Sequence, residues 1–94
     1  MAKQVIVFHM TGCEPCREYL PRFKRAAELY KGKLDVRSVN LAKSDRSYQD
    51  AAIKFKVNAT PTTIVIDESD KVLRKRIGGL EDKDIAALLK FAAS

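Results

Sequence analysis

The chain has no tryptophan, a single histidine and only two cysteines in 94 residues. Without tryptophan, and with three tyrosines and four phenylalanines, the core must be filled mainly by aliphatic side chains. One histidine and two cysteines fall short of the tetrahedral ligand set of a structural zinc site. No apolar run approaches the ~18 residues of a membrane span, so no membrane-crossing segment is expected. The apolar run that ends at Phe8 is too brief for a signal-peptide core and makes a better strand. With no export signal, a cytoplasmic address is the expectation. No repeat, low-complexity tract or linker divides the chain, so residues 1–94 read as a single domain. Acidic residues are also scarce: 12 against 18 basic ones, a net charge of +6. The basic residues are spread along the chain rather than gathered in an arm. They describe solvated helix faces, or attraction for an acidic protein partner, and not a specific nucleic-acid site.

What is present is a regular alternation of elements. Residues 4–9 are apolar at nearly every position, as in a strand buried on both faces. Residues 13–31 place Leu20, Phe23, Ala27 and Tyr30 on one helical face, with Pro15 in the first turn, Pro21 expected to kink the helix and Gly32 ending it. Leu34 to Leu41 alternates as a strand and carries enough polar residues to lie nearer a sheet edge. Residues 45–56 form a second helix with Tyr48, Ala51, Ala52 and Phe55 on one face, and Ser44 or Ser47 as its cap. Thr62 to Asp67 is β-branched and apolar, Glu68-Ser69-Asp70 signals a turn, and Lys71 to Ile77 returns as the second strand of a hairpin. After Gly78-Gly79, residues 81–92 place Ile85, Leu88, Leu89 and Ala92 on one face of a last helix. The order β-α-β-α-β-β-α predicts an α/β fold. Its four-stranded mixed sheet has a parallel first β-α-β unit, a later antiparallel hairpin and helices on both faces.

The two cysteines stand at C-x-x-C spacing, Cys13-Glu14-Pro15-Cys16, between the first strand and the first helix. A thiolate at a helix start is favoured by unpaired backbone N–H groups and by the helix dipole. A second sulfur one turn on can resolve a mixed disulfide formed at the first. Redox catalysis is therefore the leading reading. A zinc site lacks ligands, and an inert core pair would not explain the intervening proline or the strand-to-helix position. Arg17, directly after the pair, can favour the thiolate, whereas Glu14 repels it and should make the dithiol more reducing. Thr60-Pro61 marks the start of a strand, because a residue before proline is pushed to extended backbone.

Taken together, Cys13-Glu14-Pro15-Cys16, Arg17, Pro21, Ala59-Thr60-Pro61-Thr62 and Gly78-Gly79 resemble the thioredoxin family, with element order and spacing agreeing over essentially the whole chain. The resemblance implies a minimal thioredoxin fold, a nucleophilic Cys13, a resolving Cys16 and a cis Pro61. It further implies a Thr60 that contacts substrate and a Gly78 that lets a partner backbone approach. The chain departs from the family in starting at the first central strand, a compact plan nearer to glutaredoxins and to small thioredoxin-like proteins of archaea and viruses. It also has Gly12 where a tryptophan usually precedes the first cysteine, and Val7 where a buried carboxylate usually stands. His9, of the same strand parity as Val7, is the candidate proton relay in its place, against the plainer reading of a strand-end histidine with no role.

The expectation is a monomeric thiol–disulfide oxidoreductase that reduces protein disulfides without metal or organic cofactor and is recharged by a thioredoxin reductase. Two alternatives stand beside it. A glutaredoxin-like protein would be recharged by glutathione, held at Gly78-Gly79-Leu80-Glu81-Asp82. A thioredoxin-fold binding module would not use the cysteines at all. Arg17, Arg22, Lys24 and Arg25 on the first helix offer basic groups to acidic partners or to glutathione carboxylates.

Overall fold

The computed structural model describes residues 3–42 and 46–94, with the backbone only at Ser47 and Tyr48. Its elements are β1 (Gln4–His9), α1 (Glu14–Ala27) with a following 3-10 turn (Glu28–Tyr30), β2 (Asp35–Asn40), α2 (Arg46–Lys54), β3 (Thr62–Ile66), β4 (Val72–Ile77) and α3 (Asp82–Ala93). One four-stranded sheet has the order β2-β1-β3-β4. β1 pairs parallel to β2 and antiparallel to β3, and β3 pairs antiparallel to β4. The doubly apolar run is thus an inner strand, and the more polar β2 is an edge.

Because strand side chains alternate, β1 sends Val5 and Val7 to one face and Ile6 and Phe8 to the other. On the first face, Val5, Val7 and Val65 meet Tyr19 and Phe23 of α1 and Ile85, Leu88, Leu89 and Ala92 of α3. On the second, Ile6, Phe8, Ile64 and Ile66 meet Phe55, with Ala51 of α2 packed against them. The periodicity of α3 therefore marked its buried face correctly. In α1 the stripe is rotated from the expected one. Tyr19 and Phe23 are fully buried, while Leu20 lies at its flank.

Proline at position 21 lies inside α1, which nonetheless runs on to Ala27. Ser47 is the second helical residue of α2 and so cannot be its cap; Ser44 lies outside the described residues. The far end of α2 is closed by Lys75 of β4, whose ammonium donates to the carbonyls of Lys56 (2.6 Å) and Phe55 (3.3 Å). A cation there complements the negative end of the helix dipole. In the hairpin turn, Asp67 accepts from the backbone N–H groups of Ser69 and Lys71, both at 2.9 Å. The Ser69 hydroxyl, which donates to it at 2.7 Å, and then the Lys71 N–H hold its carboxyl below the usual range.

Candidate active site

β1 delivers the chain to the cysteines through a tight turn. The Cys13 N–H donates to the Met10 carbonyl (3.2 Å), and Gly12 has a φ of 86°. That left-handed backbone strains any residue with a Cβ. It gives a local reason for glycine, rather than a bulky aromatic, before the first cysteine.

Cys13 is the N-cap of α1, and its sulfur accepts the Cys16 N–H at 3.2 Å. Capping satisfies a backbone donor that the helix cannot use itself, and the same donor would stabilise a thiolate there. Pro15 sits in the first turn, where its missing N–H breaks no bond. The two cysteines are joined as a disulfide, with Cα atoms 5.2 Å apart. They differ in access: Cys13 is half-buried, whereas Cys16 is only 1% exposed. Arg17 donates to Glu14 at 2.9 Å, both side chains lying largely in solvent. The two charges expected to act oppositely on Cys13 are therefore paired with each other.

Thr60 comes to the same sulfur from 47 residues away. Its hydroxyl donates to Cys13 Sγ at 3.5 Å, and its carbonyl oxygen lies 3.7 Å from it. The Thr60–Pro61 peptide is cis, and Pro61 is buried. The Pro61 carbonyl accepts the Gly78 N–H at 2.8 Å, so the two loops form one edge. Gly78 has a φ of 93° and open space where a Cβ would stand. Exposed apolar side chains flank this edge: Met10 before the cysteines and Ile77 beside Gly78.

Val7 is fully buried among apolar neighbours, and no carboxylate takes its place. In the strand register Val7 lies between the exposed Ser38 of β2 and the buried Thr63 of β3. The Thr63 hydroxyl shares a 2.9 Å hydrogen bond with the Tyr19 hydroxyl. Burial raises the Tyr19 pKa, opposed by the Thr63 bond and by Arg22. His9 ends β1 half-buried, and its side chain makes no hydrogen bond to either cysteine among the described residues. Burial first, and then the Lys24 charge, lower its pKa, so the imidazole is neutral at pH 7 and can accept a proton.

Arg22 is not the free basic group the sequence suggested. Its guanidinium forks onto Glu18 at 2.7 and 2.9 Å and reaches the Leu80 carbonyl and the Asp82 carboxylate, each at 2.8 Å. The carboxylates hold its pKa further above the usual arginine value, Glu18 first, and the Arg22 bond holds Glu18 below its usual range. The Arg22 group also stands over the Tyr19 ring, 5.8 Å from its centroid. Tyr19 in turn lies beneath Gly79, where an added Cβ would sit 3.6 Å from the tyrosine Cβ. Neither Tyr19, Thr63 nor the Arg22 fork was marked by sequence reasoning. A tyrosine next to a recognised apolar stripe, and an arginine in a basic run, carry no local sign of such partners.

The thioredoxin family model matches residues 1–91. Mitochondrial thioredoxin of Mus musculus is 30% identical over 86 residues, which are 92% of this chain and 49% of that protein. The Bos taurus counterpart is 28% identical over the same length, with the same coverage of both chains. The chain thus spans about half the length of the curated relatives it matches. Among solved structures, Fasciola hepatica thioredoxin superposes with a TM-score of 0.79 at 21% identity, covering 97% of this chain and 71% of that one. A malarial protein superposes at 0.78 and 20% identity, with each chain fully covered. The curated relatives, those of Mus musculus, Rattus norvegicus and Bos taurus, are mitochondrial by name, which overturns the expectation of a cytoplasmic address.

Proposed function

The chain belongs to the thioredoxin family, and from that premise we propose that it is a thiol–disulfide oxidoreductase acting on protein disulfides through Cys13 and Cys16. The observation that carries the reading is the asymmetric pair at the start of α1. An accessible sulfur caps the helix, and a buried one is bonded to it. In the reduced protein the Cys13 thiolate attacks one sulfur of a substrate disulfide. That S–S bond breaks, and the first substrate thiolate leaves with its electron pair. Cys16, deprotonated, then attacks Cys13 Sγ and releases the second substrate thiolate. Two electrons have passed to the substrate, its two thiolates take up protons, and the Cys13–Cys16 disulfide is left.

The substrate docks along Thr60, Pro61 and Gly78, whose bonds to Cys13 and to one another support that role. Pro15 shapes the first turn, while Glu14 and Arg17 tune the thiolate as an opposed pair. His9, neutral and of the same strand parity as Val7, takes the Cys16 proton, directly or through water. Replacing His9 by alanine should then slow release of the mixed disulfide at neutral pH, and the difference should vanish as pH falls through the lowered His9 pKa. Unchanged release across the pH range would exclude it. The chemistry calls for no metal or organic cofactor. The curated relatives support a mitochondrial location.

Electrons to restore the dithiol come from a thioredoxin reductase. Of the two acids after Gly78-Gly79 that the glutathione alternative would use, Asp82 is engaged by Arg22 and Glu81 is exposed. Insulin reduction driven by NADPH and thioredoxin reductase tests this, run against NADPH, glutathione and glutathione reductase. Turnover only in the second mixture reassigns the donor. A Cys13→Ser, Cys16→Ser double variant that keeps full biological activity would instead support a binding module.

A further inference from the structure

We propose that Arg22 is a positioning residue that sets the height of the Gly78 docking edge over Cys13, and so governs affinity for protein disulfides; this rests on the oxidoreductase reading above. Arg22 lies on the helix that carries both cysteines, and it acts on the loop opposite them. Its Nη1 holds both the Leu80 carbonyl and the Asp82 carboxylate at 2.8 Å. Its other edge is fixed on Glu18 of the same helix, so the fork cannot swing away without losing both sets of bonds. The Tyr19 ring adds a second hold, packed beneath Gly79 and faced by the same guanidinium.

From the other side, Gly78 is tied to Pro61 and Thr60 to the Cys13 sulfur. The contacts therefore close a ring: Cys13, Thr60, Pro61, Gly78, Leu80, Arg22, α1 and back to Cys13. Gly78 has open space on its Cβ side and a left-handed backbone. From the α1 side, the Arg22 fork and the Tyr19 ring hold the loop that follows Gly78. An incoming backbone needs the distance of Gly78 from α1 to be held, because pairing with a short edge tolerates little displacement. A small disulfide that reaches Cys13 without using the edge does not need it.

The test compares Arg22→Ala, Arg22→Lys and Arg25→Ala with wild type. Arg25 is an exposed arginine on the same helix, so its removal controls for charge. Three readouts are taken: KM and kcat for insulin reduction, the rate with hydroxyethyl disulfide, and amide hydrogen exchange at Gly78. For Arg22→Ala we expect KM for insulin to rise roughly tenfold with kcat and the small-disulfide rate unchanged. Gly78 exchange should quicken by about tenfold or more. Arg22→Lys, with the charge but not the fork, should fall between. Should Arg22→Ala not fold, Arg22→Lys is read by the same measurements. An unchanged KM, an unchanged Gly78 exchange rate, or a KM rise equal to that of Arg25→Ala overturns the proposal. A wild type that leaves insulin disulfides intact refutes the oxidoreductase reading itself.

Discussion

The two faces of the sheet are built differently. On one, β1 and β3 are covered by two helices, and the buried cluster takes in Tyr19, Phe23, Ile85, Leu88 and Leu89. On the other, Ile6, Phe8, Ile64 and Ile66 are closed by α2 and Phe55. The buried hydroxyls differ as well. Thr63 on the thick face meets Tyr19 across the layers, whereas Thr62 on the thin face returns to the nearby Ala59 carbonyl at 2.6 Å. The thin face is held partly from its rim, by Lys75 on the end of α2 and by the Lys54–Asp70 ion pair. The cysteines belong to the thick face, since α1 packs there. The buried side of α1 packs on the sheet and on α3, and its first turn aims the Cys16 N–H at Cys13 Sγ. The lesson is that the cysteine end of α1 is placed by what its other residues pack against.

The largest expected effect asks whether the chemistry belongs to α1 at all. Cys13→Ser should lower insulin reduction on the order of a thousandfold or more. Cys16→Ser should instead accumulate a mixed disulfide with substrate, seen by mass spectrometry as a covalent adduct. Retained turnover in Cys13→Ser would detach function from this site. Next comes a matched pair of core deletions. Ile85→Ala on the thick face, at a fully buried position, should cost about 4 kcal/mol, and Ile6→Ala on the thin face about 2 kcal/mol. Urea denaturation of the oxidised protein measures both, and equal costs would erase the contrast between faces.

A smaller effect probes the polar link inside the thick face. Tyr19→Phe leaves the Thr63 hydroxyl without that partner and should cost about 1–2 kcal/mol at neutral pH. The sign with pH follows from burial. A phenol whose pKa is raised by folding adds stability that is complete below its unfolded value near ~10 and is lost as pH rises through the folded value. Wild type should therefore lose stability above that pH more steeply than Tyr19→Phe. Parallel decline in the two proteins would show that Tyr19 is not the group titrating. The smallest effect lies at the exposed rim. Glu14→Gln removes the repelling charge and frees Arg17, so the Cys13 pKa should fall. Its alkylation near neutral pH should quicken by less than about fivefold, because exposed ion pairs are worth about 0–1 kcal/mol. An unchanged thiolate titration would show that solvent screens both charges.

Much of this was legible in the chain. The strand at residues 4–9, the hairpin from Thr62 to Ile77 and the buried stripe of α3 follow from alternation and helical spacing, which are properties of neighbouring residues. The helix-start cysteines were equally plain, since capping and the C-x-x-C spacing act within one turn. Of the two caps offered for α2, Ser44 or Ser47, the second is excluded because its backbone has already turned helical. The stripe of α1 was displaced because an aromatic beside several aliphatics can be shifted by part of a turn without breaking the pattern.

The sequence by itself determined the order of the elements, the inner place of β1 and the presence of a dithiol at a helix start. Those depend on local periodicity and on chemistry confined to four consecutive residues, Cys13-Glu14-Pro15-Cys16. Only the tertiary structure decided that Thr60 meets Cys13, that Thr63 meets Tyr19 beside Val7, and that Arg22 reaches Leu80 and Asp82. These partners lie 44 to 60 residues apart. Their meeting is set by how the sheet stacks its two layers, and no spacing along the chain encodes that.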